Sequence, residues 1–160
     1  MISVLEYLFS GTIISSSKPT LVLKGGTALN LVYTNLPRLS VDIDLDYVGS
    51  IDKETALTER EEIVNHLDKY MEKDGYVLSK KTKENHILVS RIYSYINAYG
   101  NPDNIKIEIN FIDRVHIGDV EPKTINYFNK DMESVAAPKD SGVYYAQIKA
   151  LYFGVFIPFS

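Results

Sequence analysis

Three aspartates alternate with apolar residues in the stretch RLSVDIDLDY, residues 38–47. In an extended strand, Asp42, Asp44 and Asp46 leave one face, and the apolar residues between them leave the other. Like charges at this spacing repel each other, and a strand that merely faced water could use threonine, lysine or serine there. The pattern therefore predicts that something positive lies against the acidic face and offsets the repulsion.

A pair of glycines precedes the acidic strand, between a predicted strand and a predicted helix, in the run TLVLKGGTALNLVYT. Gly25 and Gly26, followed by Thr27, would let backbone N–H groups approach a phosphate, and the helix dipole favours negative charge there. An anion site beside a carboxylate pair makes chemical sense if divalent cations bridge the two. Asp42 and Asp44 would then hold Mg²⁺, and the Mg²⁺ would hold triphosphate oxygens.

A third acid on another strand would complete a two-metal site. In the run KIEIN, residues 106–110, Glu108 is flanked by apolar residues, as an inward-facing strand acid would be. A glycine pair or an Asp-x-Asp motif is common by itself. The order of glycine turn, acidic strand and distant acidic strand is considerably more specific, and it indicates Asp42, Asp44 and Glu108 as metal ligands.

This arrangement resembles the nucleotidyltransferase superfamily related to DNA polymerase β. The fuller run LKGGTALNLVY…LPRLSVDIDLDYV is similar to the AbiEii/AbiGii group of toxin-like nucleotidyltransferases, and the resemblance extends from residue 20 to about residue 152. It implies a toxin of a type IV toxin–antitoxin or abortive-infection system. Such an enzyme would transfer a nucleotidyl group from an NTP to an RNA hydroxyl, with the tRNA 3′ end as one candidate acceptor. Mg²⁺ or Mn²⁺ would be the cofactor, and a cognate antitoxin the cellular partner.

The resemblance also assigns roles to polar residues around the acidic strand. By position, Gly26 and Thr27 match the signature turn of the family, with Gly25 beside them. Ser40 and Arg38 match the polar residues that precede the metal-binding aspartates. All five residues are therefore implied in nucleotide or phosphate binding.

A lysine near the end of the chain completes the implied site. Lys149 lies in the run AQIKAL and matches a lysine that contacts nucleotide phosphates in such proteins, although a lone helical lysine is normally a solvated one. The implied catalytic set is Asp42, Asp44, Glu108 and Lys149. Asp46 shares the face of the aspartate pair but lies further along, and we expect it to be a peripheral or solvated acid.

Hydrophobic periodicity predicts the elements that position these residues. Helices are predicted over residues 2–17, 27–34 and 51–73, the last with Asp52 as its N-cap and Gly75 after its end. Strands are predicted at the run TLVLKGG and over residues 41–48, 76–80, 86–97 and 105–112. The last three would be antiparallel, with NPDN, residues 101–104, as the turn between the final pair. Residues 113–140 are expected to be irregular, with one or two short strands.

These elements predict an α+β or α/β nucleotidyltransferase core, a mixed, twisted sheet with helices mainly on one side. We expect the core to span residues 1–140 and a helical region, capped by Ser141, to begin at residues 141–160. Family members continue through an arginine–aspartate motif and further helices, and the run ALYFGVFIPF leaves apolar surface that needs covering. A truncated helical region is therefore expected. Packing of this tail on the core or on a second subunit is the alternative.

Composition bounds the function classes. The chain has 160 residues, 45% hydrophobic and 24% charged, which is typical of a soluble domain, and its net charge of −4 argues against general polyanion binding. It has no cysteine, which excludes disulfides, thiolate zinc sites and thiol catalysis and is compatible with a cytoplasmic location. No run reaches the roughly 18 apolar residues of a membrane span.

Other readings of the acidic motif are weaker. A calcium loop would need glycine at Tyr47 and glutamate at Lys53. The three histidines share no zinc-ligand spacing, and no Walker A motif is present. Two alternatives stay open: a phosphotransferase that uses the same metal site, and a catalytically incompetent remnant that binds a nucleotide or an antitoxin.

Overall fold

The computed structural model describes residues 2–9, 20–28, 31–32, 42–112, 120–127 and 130–138. Three helices and eight strands lie within these ranges. They are α1 (Ile2–Phe9), β1 (Leu21–Lys24), α2 (Gly25–Ala28), β2 (Asp42–Tyr47), α3 (Lys53–Lys73), β3 (Val77–Leu78), β4 (Lys83–Glu84), β5 (Leu88–Ile96), β6 (Pro102–Asn110), β7 (Val120–Tyr127) and β8 (Lys130–Pro138).

The main sheet has six strands and is mixed, as predicted. Its order is β1-β2-β6-β5-β3, and β4 pairs with β5 beside β3. Only the central pair, β2 with β6, is parallel among the pairs described, and the others are antiparallel. A parallel pair needs a long crossover, and here the chain from β2 to β6 supplies α3 and the strands β3 to β5.

One face of this sheet carries the hydrophobic core. Ile43 and Leu45 of β2 and Ile107 and Ile109 of β6 are fully buried. They belong to one cluster with Val4, Leu5 and Leu8 of α1 and with Ile63, Leu67 and Met71 of α3. Because side chains alternate along a strand, the residues between these apolar ones face the opposite side, away from α1 and α3.

Helix α3 agrees closely with its prediction. Asp52 is its N-cap, and the carboxylate accepts a hydrogen bond of 2.9 Å from the backbone N–H of Thr55, which lowers the pKa of Asp52. Gly75, with φ of +85°, lies just beyond its end. Tyr70 of α3 stacks on Tyr7 of α1, with ring centroids 3.8 Å apart, and so ties the two helices together. Among the helices in the described ranges, none is both long and apolar enough to cross a membrane.

A buried arginine joins α3 to the strands on the core side. Arg91 of β5 forms ion pairs with Asp68 of α3, at 3.3 Å, and with Glu84 of β4, at 2.9 Å. Glu84 also pairs with Arg60 of α3 at 2.9 Å, and the Tyr93 hydroxyl donates a hydrogen bond to Asp68. Burial raises the pKa of Tyr93, so its hydroxyl stays protonated and donates. This network accounts for a charged residue inside an otherwise apolar interface.

The predicted turn at residues 101–104 is wrong. Residues from Pro102 onward belong to β6, and the turn lies at residues 97–101, where the backbone N–H of Asn97 donates to the carbonyl of Asn101. Proline has no backbone N–H to donate to a neighbouring strand. It is nevertheless found as the first residue of a strand, where that hydrogen bond is not required. Gly100, with φ of +79°, supplies the left-handed conformation that the turn requires.

The prediction for residues 113–140 is also wrong in part. Strands β7 and β8, of 8 and 9 residues, form a separate two-stranded antiparallel sheet, and β8 lies against β1 and α1. A register shift between Lys123 and Ile125 breaks the regular pairing. A strand with such an irregularity, and with a proline inside it, has a weak sequence pattern.

Smaller differences concern element lengths. The predicted helix over residues 2–17 is α1, Ile2–Phe9, and residues 10–17 lie outside the described residues. The helix predicted from Thr27 begins two residues earlier, at Gly25, and the strand predicted over residues 76–80 is only Val77–Leu78. Residues 141–160 are also outside the described part, so the division into a core and a helical region stays a prediction.

Replacing Ile107 by alanine tests the core assignment. Ile107 is fully buried between the sheet and the helices, and we expect Ile107→Ala to lower the free energy of unfolding by about 2–5 kcal/mol. The matched control is Ile96→Ala, because Ile96 is 66% exposed and should change stability by less than about 0.5 kcal/mol. Urea unfolding followed by circular dichroism measures both. Equal effects of the two substitutions would contradict the placement of β6 in the core.

Candidate active site

The polar face of the sheet brings together acids that are distant in sequence. In the parallel pairing of β2 with β6, Asp44 lies opposite Glu108, and Asp42 lies opposite Lys106. Neighbouring strands are about 4.8 Å apart, so the Asp44 and Glu108 carboxylates share one small region of the surface. The structure thus places the predicted third acid directly beside the aspartate pair.

Two lysines lie on the same face and carry the positive charge that the acidic strand was predicted to need. Lys24, opposite Asp44 in the pairing of β1 with β2, forms an ion pair of 2.5 Å with Asp46. Lys106 forms an ion pair of 2.9 Å with Glu108. Among the described residues, four acids and two lysines give this face a formal charge of −2, so these lysines offset only part of the repulsion.

Asp46 is buried and paired, so the prediction that it is solvated is wrong. Its side chain is only 8% exposed and is held by Lys24, because β1 runs alongside β2 and brings the lysine over it. Sequence reasoning also missed Lys24 and Lys106. A signal was present, since Lys106 precedes Glu108 by two residues and so shares its face of the strand.

The electrostatics of Asp44 reflect the crowding of charge. Burial raises the pKa of Asp44, and the nearby Glu108 and Asp42 carboxylates raise it further, whereas Lys24 and Lys106 act in the opposite direction. The hydrogen bond to Glu108 raises the pKa of Lys106. The repulsion of Asp44 by the Glu108 and Asp42 carboxylates would be reduced by an additional cation that approaches them.

The glycine turn lies in close contact with the acidic strand β2. Gly25 has φ of +67°, and a Cβ added there would lie 2.2 Å from Oδ2 of Asp44. Both the backbone conformation and the lack of space therefore require glycine. Thr27 is buried, and its hydroxyl donates a hydrogen bond to the backbone carbonyl of Asp42, whereas Gly26 is exposed. The turn and the first residue of β2 are thus joined directly.

The chemistry of the donor set fits a divalent cation. Carboxylate oxygens are the ligands that Mg²⁺ and Mn²⁺ prefer, and the face retains negative charge. Among the described residues, however, no group of three or more His, Cys, Asp or Glu side chains is already arranged around one point, and Lys106 holds Glu108. Asp42 and Asp44 would therefore be the first ligands, and Glu108 would join them only after leaving Lys106.

Three predicted residues lie outside the described part of the chain, and one cavity of that part lies away from the candidate site. Arg38, Ser40 and Lys149 are outside the described residues, so their roles stay predictions. A cavity of about 470 Å³ lies between the first turns of α3 and the end of β6. It is lined by Lys53, Ala56, Leu57, Arg60, His86, Phe111 and Ile112. None of the described candidate residues lines this cavity.

A family profile identifies the chain. The profile, described as nucleotidyl transferase AbiEii toxin of a type IV TA system, matches residues 6–141. The chain belongs to the AbiEii family. The match includes the glycine turn, the acidic strand β2 and Glu108, which are candidate site residues of this AbiEii-family chain.

A solved structure supports the same fold. The AbiEii-family chain is similar to MenT4, a nucleotidyltransferase toxin from Mycobacterium tuberculosis H37Rv, with a TM-score of 0.57 and 18% sequence identity. The alignment covers 93% of this chain and 50% of the MenT4 chain, so the chain spans half the length of that protein. At this identity the likeness shows a shared fold. A search of curated protein sequences found no match.

Substitution of Gly25 tests the close contact with Asp44. At Gly100 and Gly75, which also have positive φ but have nothing within 4 Å of an added Cβ, alanine should cost only the left-handed strain, about 1–2 kcal/mol. Gly25→Ala should cost more than either control, because its methyl group also displaces the Asp44 carboxylate. Thermal or urea unfolding of the three variants measures this difference. A Gly25→Ala variant as stable as the controls would contradict the contact.

Neutralising Asp44 tests the crowding of charge. The raised pKa of Asp44 means that the folded state loses stability as pH rises from the ordinary aspartate value through the raised pKa. In the absence of divalent cations, Asp44→Asn should therefore be more stable than the wild type at pH 7. This advantage should shrink as the pH falls from the raised pKa of Asp44 to the ordinary aspartate value. Glu61→Gln on the exposed side of α3 is the charge-matched control, and no advantage over that control would contradict the repulsion.

Proposed function

We propose that this chain is the core of a type IV toxin that transfers a nucleotidyl group from an NTP to an RNA hydroxyl, with pyrophosphate as the leaving group. The main support is the adjacency of Asp44, Glu108 and Gly25 on one face of the sheet. That adjacency supplies carboxylates for a divalent cation next to a glycine turn. Family membership and the fold shared with a nucleotidyltransferase toxin agree with it.

The proposed reaction is a single displacement at phosphorus. The acceptor hydroxyl oxygen forms a bond to the α-phosphorus of the NTP, the bond from that phosphorus to the bridging oxygen breaks, and pyrophosphate leaves. The hydroxyl proton passes to water. Mg²⁺ or Mn²⁺, when bound, lowers the pKa of the attacking hydroxyl and neutralises charge on the departing oxygen.

Each part of the site has a proposed role in that reaction. Asp42 and Asp44, with Glu108 opposite, would hold the cation because they are hard oxygen donors on one surface. The turn formed by Gly25 and Gly26 would lie against the triphosphate, where the lack of side chains permits close approach. Thr27 positions this turn through its hydrogen bond to β2. We propose Arg38, Ser40 and Lys149 as further phosphate contacts by their positions in the sequence.

The acceptor and the partners are proposed on the basis of the family alone. RNA, with the tRNA 3′ end as one candidate, would be the acceptor, and a cognate antitoxin would be the protein partner in the cytoplasm. The net charge of −4 means that any RNA contact must depend on local patches of positive charge. A second candidate is a role in binding only a nucleotide or an antitoxin, since the chain spans half of the MenT4 chain.

Labelled nucleotides distinguish these functions. The protein is incubated with Mg²⁺, tRNA and each NTP labelled at either the α or the γ phosphorus. Nucleotidyl transfer should place only the α label in the RNA, whereas γ label in the product would indicate a phosphotransferase. No transfer with nucleotide binding intact would favour the binding-only role.

Variants of the aspartate pair connect this activity with the site. Asp42→Asn combined with Asp44→Asn should reduce transfer to background while the protein stays folded, because the cation loses its first two ligands. Glu61→Gln combined with Glu62→Gln is the matched control, since it removes the same charge from the exposed side of α3 and should leave transfer unchanged. Full transfer by the aspartate variant would refute the proposed site.

A further inference from the structure

A lysine lies among the acids of the candidate metal site. Lys106 is opposite Asp42 in the parallel pairing, and its Nζ is 2.9 Å from Oε2 of Glu108. These two residues are separated by one position on β6, so both side chains leave the same face of the strand. The Lys106 ammonium group therefore contacts Glu108, the carboxylate that is the proposed third ligand of a divalent cation.

The two lysines of this face differ in how firmly they are held. Lys24 pairs with Asp46, whose side chain is only 8% exposed, so water has little access to this carboxylate and separating the pair is costly. Lys106 and Glu108 are 35% and 27% exposed, and water can solvate both groups when they separate. The Lys106–Glu108 pair is therefore the exchangeable one, and the Lys24–Asp46 pair is the fixed one.

We propose that Lys106 competes with the divalent cation for Glu108 and so sets the cation affinity of the site. Without a cation, the lysine offsets the repulsion between Glu108 and Asp44. When a cation binds to the aspartates, Glu108 exchanges its lysine partner for the metal. This inference rests on the proposed function, because it requires the acids to form a cation site.

Direct measurement of Mn²⁺ binding tests the competition without any assay of activity. Free Mn²⁺ is followed by electron paramagnetic resonance during titration of the wild type and of Lys106→Met. Removing one charge at this distance should tighten Mn²⁺ binding by about threefold to tenfold. Lys69→Met, an exposed lysine on α3 across the sheet, makes the same change in net charge and should leave binding unchanged. Lys106→Arg keeps the charge and should bind as the wild type does.

A double-mutant cycle separates competition for Glu108 from a general effect of charge. If Lys106 acts through Glu108, Lys106→Met should tighten Mn²⁺ binding in the wild type but not in a Glu108→Gln background. Circular dichroism and thermal unfolding confirm that each variant is folded. Lys106→Gln replaces the methionine variant if that one does not fold.

The outcomes separate this inference from the proposed function. A wild type that binds Mn²⁺ no more weakly than Lys106→Met overturns the competition but leaves the metal site in place. A gain that persists with Glu108→Gln also overturns it, because the lysine would then act by charge alone. Absence of Mn²⁺ binding in all variants overturns both the inference and the proposed site. Tighter binding that depends on Glu108 supports the competition.

Discussion

Repulsion between carboxylates on one face of β2 is the constraint on which the rest of the site depends. Asp42, Asp44 and Asp46 leave the same side of the strand, and the parallel pairing with β6 adds Glu108. Two lysines offset part of this charge, and burial still raises the pKa of Asp44. The described residues of this face keep a net negative charge that a cation can reduce.

The same two strands form both the core and the site, because alternate residues face opposite sides. Ile43 and Ile107 are buried under α1 and α3, and the acids occupy the positions between such apolar residues. A shift of one residue in the pairing of β2 with β6 would place the acids in the core. The packing of the helices therefore holds the carboxylates in register, and the contact of Gly25 with Asp44 holds the turn against them.

Patterns within a short stretch of sequence correctly predicted the elements whose formation depends on residues close together in the chain. The N-cap at Asp52, the apolar spacing and Gly75 were sufficient to place α3, and strict alternation was sufficient to place β2. Prediction was wrong where a long-range contact decides the structure. Proline at the start of β6 was taken for a turn, and β7 and β8 were expected to be one or two short strands in an otherwise irregular segment. Both elements exist because a neighbouring strand completes their hydrogen bonds.

The sequence by itself determined the kinds of group in the site: paired aspartates, a glycine turn before them and a distant glutamate on a strand. Its periodicity also determined that the three aspartates share a face, since alternation is a property of any extended chain. Only the tertiary structure decided that Glu108 faces Asp44, that Lys24 covers Asp46 and that Lys106 holds Glu108. The physical reason is that strand order and register depend on how the helices and strands pack together, and pairing between distant strands leaves no local pattern in the chain.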